Sequence, residues 1–217
     1  MSKPIHAAIF DMDGLLLDSE RLCRSYFLDA CSELQLSVPE SVYLQIIGCN
    51  AQRIEQIFAE QLGPDFPYHP LRERWMALYQ GHVHNRAVAL REGVRELLEL
   101  LAGLPIQLAV ATSTAKELAE TKLRLAGLRD YFSLITCGCE VAHSKPDPEI
   151  YLLAASRLGV APEHCIAFED SANGVRAAHA ANMQVVQVPD LVVPDESLLA
   201  LQHRVIPSLN EARQLFI

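Results

Sequence analysis

The stretch Ala8–Glu20, AIFDMDGLLLDSE, joins a short apolar run to two carboxylates. The residues 5–10, IHAAIF, are typical of a buried strand, and Asp11 and Asp13 follow it at once. An isolated charge is costly to bury, so two acids at the end of a buried strand need either a cation or a chemical use. The rest of the chain must therefore contain either a partner cation or further residues of a reactive site.

Size and charge limit the classes of function. The chain has 217 residues, 50% of them hydrophobic, which is enough for one large domain or two small ones. The net charge is −9 without a lysine- or arginine-rich run, which argues against nucleic acid and anionic membrane surfaces as partners. No stretch approaches the roughly 20 apolar residues of a membrane span, and the N-terminus lacks signal-peptide features, so we expect a cytoplasmic protein. The six cysteines fit no paired zinc motif.

The hydrophobic pattern changes once along the chain. From about residue 20 to 86, apolar residues recur at helical spacing and no strand pattern is present. After Gly93, strand-like and helical segments alternate, which is typical of a parallel sheet with helices on both faces. The predicted strands are 5–10, 106–112, 132–137, 164–170 and 183–188, and the predicted helices between them include 114–126, 148–158 and 171–181. The sequence therefore predicts an α/β protein with a Rossmann-like parallel sheet core, residues 1–16 and 90–217, and an inserted all-helical cap domain, residues 17–89.

Polar residues stand where the predicted strands end, or in the loop that follows. They are Asp11, Thr112 with Ser113, Lys145, and Glu169 with Asp170. Each of them alone could simply cap a helix or belong to a loop. Because ligands bind at the carboxyl ends of the strands in open parallel sheets, four such groups together indicate a site at that edge.

These residue types suit the transfer of a phosphoryl group. Asp11, Asp13 and Asp170 would repel one another around one point unless a cation lay among them, and oxygen-only ligands favour Mg²⁺. An aspartate can attack phosphorus to form an aspartyl phosphate, while a second acid protonates the leaving alcohol and later activates water. The groups available to hold the phosphoryl oxygens are the Thr112 hydroxyl, the Ser113 backbone amide and the Lys145 ammonium.

Four segments resemble, in order, the four motifs of the haloacid dehalogenase-like hydrolases. They read DMDGLLLDSE, VATST, SKPDPEIY and FEDSANGVRAAHAANM. With a helical region between the first two motifs, the chain is most similar to the subgroup of β-phosphoglucomutase-like phosphatases with a helical cap. The resemblance covers essentially the whole chain.

The resemblance implies a role for each motif residue. Asp11 is implied as the nucleophile and Asp13 as the general acid and base. Thr112 and Lys145 are implied to bind the phosphate, and the Lys145–Pro146 peptide is expected to be cis. The implied magnesium ligands are the Asp11 carboxylate, the Asp13 backbone carbonyl and Asp170, with Glu169 as a further ligand or a partner behind them.

A sugar phosphomutase is the main alternative, because it uses the same core residues as a phosphatase. The mutases hold a second phosphate with a cap arginine just after a glycine and use a histidine on the first cap helix. Here Ala51 stands at the arginine position, with Arg53 two residues on, and Cys23 stands at the histidine position. These differences favour hydrolysis and leave a substitute role for Arg53 open.

Two other classes are disfavoured by single features. A dehalogenase of this superfamily lacks the second acid, because a halide leaves without a proton, whereas this chain has Asp13. A phospho-receiver domain is about half this length and carries its phosphorylated aspartate on a later strand.

The cap is expected to cover the site and to select the substrate. Ser19, Asn50 and Arg53 are candidate contacts. The LDSE motif and the cap pattern resemble phosphatases of small sugar phosphates, so a small phosphorylated metabolite is the expected substrate and partner. Since a cap shields the site without a second subunit, we expect a monomer.

Overall fold

The computed structural model describes residues 4–47, 49 and 51–216 and contains, within them, a six-stranded parallel sheet in the order β3–β2–β1–β4–β5–β6. The strands are β1 (Ala7–Phe10), β2 (Gln107–Thr112), β3 (Leu134–Cys137), β4 (Cys165–Glu169), β5 (Gln184–Gln187) and β6 (Arg204–Val205). The helices are α1 (Ser19–Glu33), α2 (Glu40–Ile46), α3 (Ala51–Leu62), α4 (Tyr68–Val83), α5 (Val94–Ala102), α6 (Lys116–Leu125), α7 (Glu149–Leu158), α8 (Ala172–Ala180), α9 (Glu196–Leu199) and α10 (Leu209–Ala212).

The predicted α/β core with a helical insertion after its first strand is confirmed, and all five predicted strands are present. The prediction missed β6, a two-residue strand whose residues are both exposed and therefore carry no hydrophobic pattern. Helix α6 begins two residues later than predicted, because residues 113–115 form a turn in which the Thr114 N–H donates to Thr112 Oγ1 (3.1 Å). None of the helices within the described residues has the length and apolarity needed to cross a bilayer.

Strand β1 is fully buried because helices cover both faces of the sheet. Ala7 and Ile9 pack in the cluster that contains α7 and α8, and Ala8 and Phe10 pack in the opposite cluster with α5 and α6. On that second face, Phe10 stacks on Phe168 with ring centroids 4.8 Å apart. Burial on both faces explains why this strand is an unbroken apolar run rather than an alternating one.

The register of the sheet sets the position of the polar residues. Phe10 is paired with Val110 on β2 and with Phe168 on β4. The next residues, Asp11 and Glu169, therefore lie side by side at the carboxyl edge, where ligands bind in sheets of this type.

The inserted helices α1–α4 have a core of their own. Phe27 lies at its centre, with ring centroids 4.8 Å from Tyr43, 5.1 Å from Trp75 and 6.3 Å from Phe58. This cluster is separate from the two clusters on the sheet. The C-terminal end of α4 is an exception, because Val83 is buried in the sheet cluster instead.

The two connections between the core and the inserted helices run side by side. Leu15, Leu16 and Leu17 are fully buried in the sheet cluster, so the first connection is packed against the core. Leu17 pairs with Leu90 on the returning connection in an antiparallel bridge. Asp190 lies on the loop after β5 and accepts hydrogen bonds from both connections. One comes from Arg21 at the start of α1 (2.5 Å) and the other from Arg91, next to Leu90 (2.6 Å).

Candidate active site

The loop after β1 carries the two predicted acids to the carboxyl edge of the sheet. The Asp11 N–H donates to the Phe168 carbonyl (3.0 Å), which extends the β1–β4 ladder by one bond. Gly14 has a φ of +84°, and its N–H donates to the Leu17 carbonyl (2.9 Å) and to Ser19 Oγ (3.1 Å). A positive φ favours glycine, so the DMDG sequence provides the tight turn that separates the acids from the linker.

Lys145 is the cation that faces Asp11. Its Nζ donates to Asp11 Oδ1 (2.5 Å), to Glu169 Oε1 (2.6 Å) and to the Ala111 carbonyl (3.0 Å), and its side chain is 7% exposed. The Lys145–Pro146 peptide is cis, as expected from the motif. An ammonium has three donors, so all of them are directed at this edge of the sheet.

Glu169 is fully buried and both of its carboxylate oxygens are occupied. Oε1 accepts from Lys145 and from the Tyr151 hydroxyl (2.7 Å). Oε2 accepts from the Asp170 N–H (3.2 Å), the Ser171 N–H (3.3 Å) and Ser171 Oγ (3.1 Å). With these partners, Glu169 orients Lys145 and the loop that carries Asp170.

Gly174, in the first turn of α8, leaves the space that the Glu169 carboxylate fills. A Cβ at this position would lie 1.8 Å from Glu169 Oε1. We expect Gly174→Ala to displace the carboxylate and to destabilise the protein by roughly 1–3 kcal/mol, which thermal unfolding would show as a lower Tm. Gly81→Ala is the matched control, because no atom lies within 4 Å of its added Cβ and alanine is the better helix residue. An unchanged Tm for Gly174→Ala would contradict the close packing of the Glu169 carboxylate against Gly174.

Three carboxylates converge at the carboxyl edge, with oxygens of Asp11, Glu169 and Asp170 within 4.8 Å of one another. Burial, together with Glu169 and Asp11, raises the pKa of Asp170 well above its usual range. Burial likewise raises the pKa of Asp11 to about 7, although Lys145 opposes the shift. Among the described residues, Lys145 pairs with Asp11 and Glu169, and no cationic side chain forms a salt bridge with Asp170. The cluster therefore carries more negative charge than these contacts neutralise.

The donor set of this cluster fits Mg²⁺. Its ligand atoms are all carboxylate oxygens, which suit a hard divalent cation, and neither a histidine nor a cysteine belongs to the group. Gly14 allows the first loop to approach closely, since a Cβ on it would lie 2.3 Å from Asp170 Oδ2. The carboxylate of Asp13 is not part of this cluster, which leaves its backbone carbonyl as the candidate ligand.

The Asp13 carboxylate is held by groups from the next strand and helix. Thr114 Oγ1 donates to Oδ2 (2.7 Å), and Lys122 Nζ donates to Oδ1. Burial acts to raise the pKa of Asp13, but the Lys122 ammonium and hydrogen bonds from Lys122, Thr114 and Ser19 outweigh it, so the pKa is lowered. In this arrangement Asp13 is a carboxylate, the form that can accept a proton.

Thr112 and Ser113, two of the predicted phosphate-binding residues, lie at the carboxyl end of β2 and just beyond it. Thr112 is the last residue of β2 and is buried, and its Oγ1 accepts from the Thr114 N–H (3.1 Å). Ser113 is exposed immediately beyond it. Lys145, the third predicted phosphate-binding residue, bonds directly to Asp11 at this edge.

The residues of the site also lie within the part of the chain that matches a known protein family. A profile of the family described as haloacid dehalogenase-like hydrolase matches residues 8–188. The chain belongs to this family. The phosphorylated carbohydrates phosphatase of Thermotoga maritima is 35% identical over 180 residues, which cover 83% of each chain. Hexitol phosphatase B of Escherichia coli K12 is 32% identical and the match covers 97% of this chain and 96% of that protein.

Solved structures agree with the sequence comparisons. A haloacid dehalogenase family hydrolase from Deinococcus radiodurans R1, solved with bound phosphate and sodium, has a TM-score of 0.81 and 28% identity to this chain. The match covers 98% of this chain and 95% of that one. The chain is therefore an enzyme, a phosphatase of the haloacid dehalogenase-like family with a helical cap.

The three candidate cap contacts have different surroundings in this phosphatase. Ser19 is buried, and its Oγ accepts from the Gly14 N–H, so it supports the first loop. Arg53 on α3 is about half exposed and pairs with Glu60 (3.1 Å). Asn50 lies outside the described residues.

The structure brings further residues to the site that the sequence analysis did not select. Lys122 lies on the buried face of α6 between Ala119 and Leu123, and a lysine at that spacing in an apolar stripe is a signal that could have identified it. Tyr151 carried no such signal, because a tyrosine on the apolar face of a helix usually serves the core. Glu20 lies in the first turn of α1, and burial together with the charge of Asp13 raises the pKa of Glu20 to about 7.

Proposed function

We propose that the protein is a magnesium-dependent phosphatase that hydrolyses a small phosphorylated metabolite, in particular a sugar phosphate, through an aspartyl-phosphate intermediate. The observation that carries the proposal is the position of Asp11. Its carboxylate is held at Oδ1 by Lys145, it lies within a buried and incompletely neutralised group of acids, and a second acid follows two residues later.

In the first half of the reaction, an oxygen of Asp11 attacks the phosphorus and the bond to the leaving alcohol breaks. Asp13, in its protonated form, gives a proton to the departing oxygen. Lys145 and the end of β2, Thr112 and Ser113, hold the phosphoryl oxygens. Asp11, Asp170 and the Asp13 carbonyl would hold Mg²⁺, which supplies positive charge beside the phosphoryl group when it is bound.

In the second half of the reaction, Asp13 is ionised, the form that its lowered pKa favours, and takes a proton from water. The water oxygen attacks the phosphorus, and the bond between phosphorus and Asp11 breaks to release phosphate. Asp13 ends this step protonated and ready for the next substrate. Thr114 and Lys122 hold the Asp13 carboxylate where both steps need it.

Support for a sugar phosphate comes from the relatives. Two similar proteins, the carbohydrates phosphatase and hexitol phosphatase B, have names that place phosphorylated sugars or sugar alcohols among their substrates. The test is a panel of phosphorylated metabolites with the purified enzyme and magnesium, followed by release of inorganic phosphate. Release from sugar or polyol phosphates above release from nucleotides and phosphoserine supports the proposal, and release from none of them contradicts it.

We expect hydrolysis rather than phosphomutase chemistry. The group at the mutase histidine position is the Cys23 thiol, whose pKa burial raises to about 12, so it is a poor proton carrier at neutral pH. Arg53 is paired with Glu60 on its own helix. With a sugar 1-phosphate, magnesium and a trace of the matching bisphosphate, phosphate should be released steadily and the 6-phosphate isomer should not accumulate. Isomer that forms faster than free phosphate would reverse this conclusion and make Arg53 the expected ligand of the second phosphate.

A further inference from the structure

Lys122 is a buried cation that the motifs of the family do not explain. It lies on α6 of the core, and its side chain is 2% exposed. Its Nζ donates to Asp13 Oδ1 and to the Tyr79 hydroxyl (2.9 Å). Burying an ammonium is costly without partners, so both contacts are part of what keeps this side chain inside.

The two partners of Lys122 belong to different parts of the molecule. Asp13 is on the catalytic loop of the core, whereas Tyr79 is on α4, the last of the inserted helices. Tyr79 is partly buried against the sheet cluster, close to the point where α4 returns to the core. The Nζ of Lys122 also lies 5.4 Å from the centroid of the Tyr79 ring. One ammonium thus connects the catalytic loop, a core helix and a cap helix.

The contacts on Asp13 show what Lys122 can do. Thr114 binds Oδ2 and Lys122 binds Oδ1, so the two donors together fix the rotation of the carboxylate about its Cβ–Cγ bond. Without Lys122, the carboxylate loses the second anchor, the one on Oδ1, and the hydrogen bonds from Thr114 and Ser19 hold it less firmly. Proton transfer depends steeply on the position of the donor oxygen, so the second anchor matters for the reaction.

We infer that Lys122 is a positioning residue that holds the Asp13 carboxylate for proton transfer to the leaving group and from water, and that Tyr79 ties this position to the cap. The inference rests on the proposed function, in which Asp13 moves these protons. It concerns the geometry of Asp13 and assigns Lys122 no contact with the substrate.

The test compares two phosphate esters that differ in their need for an acid. An alkyl phosphate, such as glycerol 2-phosphate, needs its leaving oxygen protonated, whereas p-nitrophenolate leaves p-nitrophenyl phosphate without a proton. We expect Lys122→Met to lower kcat for the alkyl ester about 10²-fold with KM changed less than about threefold, since positioned acids contribute roughly 10²–10⁴ in rate. In stopped flow, the first turnover of p-nitrophenol release should change by less than about threefold, because that step bypasses the acid.

Two further variants make the test specific. Tyr79→Phe removes only the hydroxyl contact, and we expect kcat for the alkyl ester to fall about threefold to tenfold with the p-nitrophenol burst retained. Lys116→Met is the matched control, because Lys116 is exposed at the start of the same helix and should leave both esters unaffected.

Several outcomes would overturn the inference. Wild-type kcat for the alkyl ester in Lys122→Met would do so, and so would an equal loss for both esters, which indicates general damage to the fold. If Lys122→Met does not fold, Tyr79→Phe decides, and an unchanged ratio between the two esters contradicts the link to the cap. Wild-type enzyme that hydrolyses neither ester would instead contradict the proposed function.

Discussion

Asp11→Asn is expected to lower kcat by about 10⁴-fold or more, the scale on which removal of a covalent nucleophile acts. The amide is nearly the same shape as the carboxylate, and its oxygen can still accept the hydrogen bond from Lys145. It cannot attack phosphorus, because the neutral amide is a far weaker nucleophile. Phosphate release from the best substrate of the panel measures the loss.

The fold of this variant should be retained. Burial raises the pKa of Asp11 and Glu169 repels its charge, so a neutral amide removes an unfavourable interaction while Lys145 keeps its bond to Glu169. We therefore expect a Tm that is unchanged or slightly higher. Asp130→Asn, at an exposed position, is the control and should keep full activity. Activity of Asp11→Asn within about tenfold of wild type would exclude Asp11 as the nucleophile.

Removal of divalent metal is the second change with a large expected effect. Enzyme dialysed against excess chelator should lose at least about 10³-fold in kcat and regain it with Mg²⁺, because the clustered carboxylates of Asp11, Glu169 and Asp170 carry more negative charge than the Lys145 ammonium neutralises. Ca²⁺ should not restore activity. It takes more ligands at longer distances, which lets the Asp11 carboxylate bind the ion with both oxygens instead of facing phosphorus.

A binding measurement separates a metal effect on structure from one on chemistry. Mg²⁺ at about 100 times its Kd should stabilise the folded protein by roughly 2.7 kcal/mol, seen as a higher Tm. Asp170→Asn should abolish this shift, because it removes one of the carboxylates proposed to bind the ion. Full activity in excess chelator, after bound metal has been removed, would contradict the assigned roles of Asp11 and Asp170.

The residues at the strand ends could be predicted because the sheet itself determines where they go. Asp11 follows a run that is apolar on both faces, and such a run in an α/β chain is a central strand. Once that strand is central and parallel, its last residue and those of its neighbours must meet at one edge. The acidic pair at the end of β4 could be placed in the same way.

The partners of the supporting side chains at that edge could not be predicted, because they depend on contacts between segments that are distant in the sequence. Lys122 reaches Asp13 across 109 positions of the chain, so its place in the apolar stripe of α6 could indicate burial but not its partner. Glu169 was assigned to the metal or to a place behind it, and only the coordinates show that donors occupy both of its oxygens. Ser19 was a candidate substrate contact beside the cap, and only the structure shows that its hydroxyl accepts from the Gly14 N–H and supports the first loop.

The small strand β6 shows the other limit of the sequence pattern. Arg204 and Val205 are exposed at the edge of the sheet, so no burial selects their residue types. Their place is determined by hydrogen bonds to β5, such as the one from the Ile206 N–H to the Gln187 carbonyl (2.9 Å). The position of such a strand is determined by the neighbouring strand and not by its own residue types.

The central claim is that the phosphoryl group passes through Asp11, and trapping that intermediate tests it most directly. Asp13→Asn should be able to form the intermediate but not to activate water, and acetyl phosphate is a suitable donor because acetate leaves without a proton. After mixing with [³²P]acetyl phosphate and Mg²⁺ and quenching in acid, we expect about one label per chain that neutral hydroxylamine removes, as for an acyl phosphate. The Asp11→Asn, Asp13→Asn double variant should carry none. Equal label in the double variant, or no label in Asp13→Asn while the wild-type enzyme releases phosphate, would contradict the account.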